Sequence, residues 1–488
     1  MIVGVDIGSQ TLKVAVLDLA LRIRGRSARS YPIRHPRPGW VEQDPRLWEA
    51  ALGPAIAEAL TIAGTQGAAV QAIGFCGQLD GCIAVDADGD PLSPCLTWMD
   101  RRATAEIADI STELVRRIGG LVLDPSHLAA KARWLKRHLG ADRPIARFHQ
   151  PVSFMVERLT GISVIDHALA STSMAYDLDR GGYDPSVLDR FELTPDELPP
   201  VAAAESLAGG LSDSGAAITG LPPGLPVAVG TGDDFGTPLG AGLTAPGRIA
   251  VVIGTGEVVG GVHGTALRDA GRLVETHAFP GGAFFIENPG WLSGGALSWL
   301  ASLLRTSDFA AMDALAGEVA PGAAGVRFIP ALTGAMAPAW LPSARGCFYG
   351  LTPAHGRGHL ICAVLEGCGF AMRDVVDHLA KMGVETQSLL LLGGGARSPL
   401  WAQMRADIAG RPVELPSCID SAPVGAAMLA AVAAGRVEDL ATAAGLLGRD
   451  ARRIEPNRGT SAAYEAAYDD YRRLFASLTP LFTRDSGA

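Results

Sequence analysis

Two stretches of this chain, almost half its length apart, follow one plan of apolar strand, glycine turn and second apolar strand. The first covers residues 3–17 and breaks at Gly8-Ser9-Gln10. The second covers residues 249–262 and breaks at Gly254-Thr255-Gly256. Short apolar runs hinged on glycine read as β-hairpins, because glycine reaches the backbone angles that a tight turn needs. A shift of 246 residues lays Gly8 on Gly254 and Ser9 on Thr255. A repeat at that distance predicts two domains on one plan, each opening on a hairpin whose glycine turn faces the other. The chain's 488 residues are enough for two large domains.

Strands and helices alternate along the rest, which predicts an α/β architecture. Residues 202–226, rich in Ala, Gly, Ser and Pro, read as loops and a linker before the strand Val227-Ala228-Val229. Over 358–382, Leu360, Val364, Gly367, Ala371, Val375 and Leu379 recur every three to four positions, the period of a helix. Leu389 to Leu392 read as a buried strand, and Ser398-Pro399 as the cap and first turn of a helix. A last helix is expected over 460–478.

With 48% apolar and 19% charged residues the chain can bury a large core, which excludes a disordered protein. The 51 acidic against 41 basic side chains give a formal charge of −10, the wrong sign for a general nucleic-acid binder. No run approaches the ~18 apolar residues of a membrane helix. Met1-Ile2-Val3-Gly4-Val5-Asp6 reads as a buried strand rather than a charged leader, so a cytoplasmic protein is expected. Seven cysteines without a CxxC pair fit reduced core side chains, and ten histidines without HExxH spacing point to no zinc site.

The chain has no GxxxxGK[ST] and no Gly-Lys dipeptide, which excludes a P-loop, and no GxGxxG behind a strand, which argues against a dinucleotide fold. Three glycine turns directly after buried strands remain: Gly8-Ser9-Gln10, Gly254-Thr255-Gly256 and Gly393-Gly394-Gly395-Ala396. Each can aim backbone N–H groups at a phosphate, and the third also meets a helix N-terminus. Each alone also fits an ordinary tight turn. Together, with Asp6 placed to hold a hydrated Mg²⁺, they suggest a phosphate clamp. Gly232-Asp233-Asp234 is either a polar turn or the seat of a carboxylate that takes a proton from an attacking hydroxyl. Adjacent residues point different ways, so only one aspartate can do so. Gln78, Asp80 and Asp100 could hydrogen-bond sugar hydroxyls and Trp98 offers a flat face to sugar C–H groups, the alternatives being a turn and a surface ion cluster.

Gly346-Cys347-Phe348-Tyr349-Gly350-Leu351, then seven residues, then His359-Leu360-Ile361-Cys362-Ala363-Val364-Leu365-Glu366 fit the C-terminal signature of the FGGY carbohydrate kinases. The glycine turns and Gly232-Asp233-Asp234 also fall in that family's order, so the chain resembles the relatives of xylulokinase, ribulokinase and glycerol kinase over about residues 2–435. The resemblance implies two actin-like (ribonuclease-H-like) ATPase domains with a cleft between them, 1–245 and 246–488, the latter with a helical tail from about 436. It implies Asp233 as catalytic base, Asp6 and Asp233 as Mg²⁺ ligands, and Gly8, Ser9, Gln10, Lys13, Gly254, Thr255 and Gly256 along the phosphates of ATP. Gly394, Gly395 and Ala396 would lie near the adenosine, and Gln78, Leu79, Asp80, Trp98, Asp100 and Asp234 at the sugar.

Four places depart from the family pattern. Leu79-Asp80 stands where xylulokinases carry Met-His and glycerol kinases Arg-Glu. Trp98-Met99-Asp100-Arg101-Arg102 is closer to the glycerol kinase form. Lys131, Trp134 and Leu135 fit the N-terminal signature but Leu128 does not, and Thr333-Gly334-Ala335-Met336-Ala337-Pro338 replaces a charged loop. The expectation is phosphorylation of a ketopentose such as D-xylulose by a homodimer. The alternatives are another ketose or polyol as substrate, or an actin-like ATP-binding protein without catalysis.

Overall fold

The computed structural model describes residues 1–139, 143–447 and 451–484. In the first lobe β1 (Ile2–Ile7) pairs antiparallel with β2 (Thr11–Leu17), and β2 with β3 (Ile23–Ser30). Ile7 opposite Leu12 closes the hairpin, and Gly8 N donates to Thr11 O at 3.2 Å across the turn. Side chains alternate faces along a strand. Val3, Val5 and Ile7 therefore pack with Trp48, Leu52 and Ile56 of helix α1 (Arg46–Ile62), while Ile2 and Gly4 face the other way. Asp6 shares that second face, which is turned toward the second lobe.

β4 (Ala72–Gly77) lies parallel to β1 with Gly77 opposite Ile7. Helix α2 (Leu128–His138) follows later in the chain. β5 (Leu207–Gly210) and β6 (Pro226–Ala228) complete the sheet in the order β5-β6-β4-β1-β2-β3, and Thr231-Gly232 adds a short pairing to β4. Helix α3 (Asp233–Gly240) starts at once. The turn after β1, the turn after β4 and the start of α3 thus gather at one edge of the sheet, the edge where α/β proteins place ligands.

The second lobe repeats the plan. β7 (Gly247–Ile253) and β8 (Gly256–His263) form the hairpin, with Ile253 opposite Glu257. β9 (Glu275–Phe279) and β10 (Ala283–Leu292) extend it. Helix α4 (Arg357–Lys381) leads to β11 (Thr386–Leu392), which lies parallel to β7 as β4 does to β1. Helix α5 (Pro399–Ala409) begins at the expected cap, where Ser398 Oγ accepts from Trp401 N at 3.0 Å. β12 (Val413–Leu415), helix α6 (Ala422–Ala433), β13 (Arg452–Ile454) and helix α7 (Ser461–Arg484) finish the chain, and the sheet order is β9-β10-β8-β7-β11-β12-β13. Tyr464, Tyr468, Tyr471 and Phe475 of α7 seal against Phe370 and Ile408.

The lobes share a core. α6 lies on the Ile2–Gly4 face of β1 and against α3, and its Ala426, Ala427 and Ala430 cluster with Ile2, Ala72 and Phe235. Contact is backbone to backbone: a Cβ on Gly4 would stand 1.8 Å from Pro423 O, and one on Gly425 2.1 Å from Gly236 O.

Two sequence expectations change. Residues 202–226 are not a plain linker, for they contain β5 and a helix, Asp213–Thr219, capped by Ser212. Their small residues serve close packing, since a Cβ on Gly215 would meet Leu159 O at 2.1 Å. Asp233 and Asp234 sit in the first turn of a helix, with Gly232 as its N-cap, and not in a polar loop.

Candidate active site

Between the lobes lies a cavity of about 340 Å³. The first lobe contributes Ser9, Gln78, Leu79, Asp80, Trp98, Asp233 and Asp234, and the second contributes Gly254, Gly256, Glu275, Met336 and Trp340. Asp80 is held from three sides. Its N–H donates to Gln150 Oε1 at 2.8 Å, its carbonyl accepts from Lys131 Nζ at 2.8 Å, and its Oδ1 lies 3.3 Å from His127 Nδ1. Lys131, wholly buried on α2, also donates to Thr97 O at 2.6 Å. These bonds keep Asp80 at φ +57°, a strained value for a residue with a side chain. Burial alone would lower the His127 pKa, but the Asp80 carboxylate outweighs it and raises the imidazole to about 9. Burial pushes Asp80 up, and His127 and Lys131 more than reverse that, so the pair is ionic at neutral pH.

The second electrostatic feature is acidic. Asp233 is raised to about 7, first by burial and then by the charge of Asp234. Asp6 is also raised to about 7, by burial and then by Asp233, against the pull of Lys13. Lys13 Nζ lies 3.5 Å from Asp6 Oδ2 and 2.9 Å from Asp420 Oδ1 of the other lobe. Asp6 Oδ1 is buried without a hydrogen-bond partner. Glu275, whose Oε1 accepts from Val122 N at 2.7 Å, is raised to about 7 by burial.

A second cavity, about 640 Å³ and more apolar, opens on the other side of the Gly254 turn. Gly254, Thr255, Gly394, Gly395, Ser398 and Trp401 line it. Gly254 is common to both cavities, so the two adjoin at this turn.

Most of the residues singled out from the sequence lie on one of these cavities, and several do not. Asp6 and Lys13 stand together by Asp233, and Ala396 is buried under its turn. Gly8 and Gln10 line neither cavity; their carbonyls accept from Tyr31 Oη at 2.6 Å and Tyr31 N at 3.1 Å. Asp100 is not at the sugar-sized cavity. It is wholly buried, accepts from Val41 N at 2.6 Å and clamps Arg102, whose guanidinium stacks 3.8 Å from the Trp40 ring. An aspartate beside two arginines reads as a ligand group in sequence, but here its lone pairs are spent inside the fold. Trp98 is exposed, and its Nε1 donates to Ser9 Oγ at 2.9 Å.

The sequence reading missed His127, the Arg101–Asp124 ion pair, Glu275, Met336 and Trp340. A signal existed for one of them. His127 precedes Lys131 by four residues, one helical turn. Among the described residues no cluster of three or more His, Cys, Asp or Glu side chains could hold a metal, all seven cysteines are free, and no helix is long and apolar enough to cross a membrane.

Comparison with known proteins bears on this arrangement. Residues 1–240 match the N-terminal domain of the FGGY family of carbohydrate kinases, and residues 249–434 its C-terminal domain. A xylulose kinase of Escherichia coli (strain K12) is 30% identical over 489 residues, covering 99% of this chain and 100% of its own. A glycerol kinase of Rhodospirillum centenum is 32% identical over 501 residues, covering 98% and 99%. The crystal structure of a xylulose kinase from Rhodospirillum rubrum superposes with a TM-score of 0.89 at 30% identity, covering 99% of both chains. The chain belongs to the FGGY family of carbohydrate kinases and is an ATP-dependent sugar phosphotransferase.

Proposed function

We propose that the protein passes the γ-phosphoryl group of ATP to a hydroxyl of a small neutral ketose, a ketopentose such as D-xylulose, with Asp233 taking the hydroxyl proton. The observation that supports this reading is the meeting of Asp233 and Asp234, the Gly254 turn and the Asp80–His127 pair around one cavity. Asp80 offers substrate hydroxyls an acceptor, His127 a donor, and Trp98 an apolar face. A sugar acid would bring its charge against Asp80, Asp233 and Asp234, so neutral sugars are favoured. Adenosine occupies the larger cavity, and the phosphates cross at Gly254-Thr255-Gly256 toward Asp233. Phosphoryl transfer leaves a protein little covalent work, so alignment of hydroxyl, base and phosphate does most of it.

The residues beside the base fit Mg²⁺. Asp6 keeps one buried oxygen unpaired, and a cation held largely by water and phosphate needs only one or two carboxylates. Asp6 and Asp233 would hold it, and when bound it neutralises charge on the phosphate oxygens. Lys13 keeps Asp6 oriented from the side away from that free oxygen.

A coupled ADP assay over ketopentoses, ketohexoses, tetritols, glycerol and gluconate tests the substrate. The highest kcat/KM is expected for D-xylulose, with gluconate inert. A preference for glycerol would transfer the reading to a polyol kinase, the second reading, which the glycerol kinase relatives and Trp98-Met99-Asp100-Arg101-Arg102 favour.

The pH profile follows from the same groups. A base works ionised, so a raised carboxyl pKa removes activity on the acid side. kcat/KM for the sugar is expected to climb between about pH 6 and 8 as Asp233 and Asp6 ionise near 7. The His127–Asp80 pairing is complete below the ordinary histidine value and is lost as pH rises through about 9, so KM for the sugar should rise there. A flat profile from pH 5 to 10 would remove both assignments.

A further inference from the structure

Glu257 and Arg405 form an ion pair with neither side chain reaching solvent. Arg405 Nη1 bonds Glu257 Oε1, Nη2 bonds Oε2 at 2.6 Å, and Nη2 also reaches Ser293 Oγ at 3.3 Å. Such a two-point fork fixes direction as well as distance. A pair of charges this deep is costly to desolvate, and packed apolar side chains hold a core at least as well, so its presence asks for a reason other than stability.

The elements it joins supply one. Glu257 follows directly on the Gly254-Thr255-Gly256 turn. Ser293 N and Gly295 N both donate to Thr255 O, at 3.1 and 2.9 Å, so the segment that Arg405 grips through Ser293 is the one that pins the turn. A Cβ on Gly294 would stand 2.3 Å from Gly254 O, which leaves the turn no slack on that side. Arg405 itself sits on α5, the helix that leaves the Gly394-Gly395 turn. Its guanidinium lies 4.8 Å from the Trp401 ring, and Trp401, anchored by a 3.2 Å bond from Nε1 to Leu365 O, lines the larger cavity. One buried fork therefore ties together the two neighbouring glycine turns, those after β7 and β11, that line this cavity.

We propose that Glu257 and Arg405 are positioning residues for the nucleotide, holding the two glycine turns at the spacing that ATP requires. They touch no ligand themselves and act through Thr255 and Trp401. The proposal rests on the reading of the larger cavity as the ATP site.

Removing one partner strands the other charge in the core and threatens the fold, so the test uses two less disruptive changes. The double variant Glu257→Leu/Arg405→Met replaces the pair by apolar groups of similar bulk, and Arg405→Lys keeps the charge but loses the fork. For the double variant a cooperative melt is expected, with KM for ATP raised at least tenfold, ADP affinity by calorimetry weakened by a similar factor, and KM for the sugar within twofold of wild type. Arg405→Lys should fall between the two for ATP, also with the sugar constant unmoved. If either variant melts cooperatively yet keeps its ATP constant within twofold, or if both substrates' KM values rise together, the positioning role is overturned. A wild-type protein that binds no ADP overturns the ATP-site reading instead, and this one with it.

Discussion

Replacing Asp233 by asparagine is expected to lower kcat about 10³-fold, the middle of the range for loss of a general base, while binding of ADP measured without Mg²⁺ changes little. Asparagine keeps the size of the side chain and its place in the first turn of α3, so the cavity and the Gly254 turn should stay intact. What disappears is the acceptor for the hydroxyl proton, together with one of the two carboxylates assigned to Mg²⁺. A second readout separates this from collapse of the site. Asp6 is raised partly by the charge of Asp233, so Asp233→Asn relieves a buried like-charge repulsion, and the variant should melt no lower than wild type. The checks are a coupled ADP assay, calorimetry with ADP and a thermal melt. Activity above roughly a tenth of wild type, for a base expected to give at least 10²-fold, would show that the hydroxyl proton leaves by another route.

Gly425→Ala should damage both stability and turnover, although helix propensity argues the opposite. Within a helix, alanine is favoured over glycine by about 1 kcal/mol. Here the added Cβ would lie 2.1 Å from Gly236 O and 3.1 Å from Gly240 N, all backbone of α3, with no flexible side chain to swing aside. Overpacking of this kind costs about 3 kcal/mol at its upper range, so the clash wins by roughly 2 kcal/mol. The strain is relieved only if α6 and α3 part. α3 begins at Asp233, and a displacement of about 1 Å at the reacting groups costs about 10²-fold in rate. A lower melting temperature together with a markedly reduced kcat is therefore expected. Gly445→Ala, in the short helix Leu440–Leu446, is the matched control, since a Cβ there meets nothing within 4 Å. Equal behaviour of the two alanine variants would mean that the helices do not cross where described.

Much of the plan could be read along the chain because it is local. The repeated hairpin was visible as a pattern of strand and glycine, and the start of α5 as Ser398-Pro399. The long helix α4 differs from its periodicity by one residue at each end. The face of Asp6 also follows from sequence, since strand alternation sets it beside Ile2 and Gly4. What could not be read depends on distant partners. His127 and Asp80 are 47 residues apart and meet only because α2 docks against the turn after β4. Asp100 and Asp80 look alike in sequence, yet Arg102 and Val41 turn one inward while Lys131 and Gln150 hold the other at the cavity. In residues 202–226, small side chains looked like slack and are close contacts instead.

The seam between β1 and α6 has a consequence for how the protein is made. Strand β1 has one face covered by a helix that starts at residue 422, some 415 residues later in synthesis. At ordinary elongation rates of about 5–20 residues per second, the apolar face around Ile2 and Ala72 stays bare for on the order of half a minute. The newborn first half is thus a sticky intermediate awaiting its lid, a natural client for holding chaperones, and a gene cut between the halves would release that surface permanently.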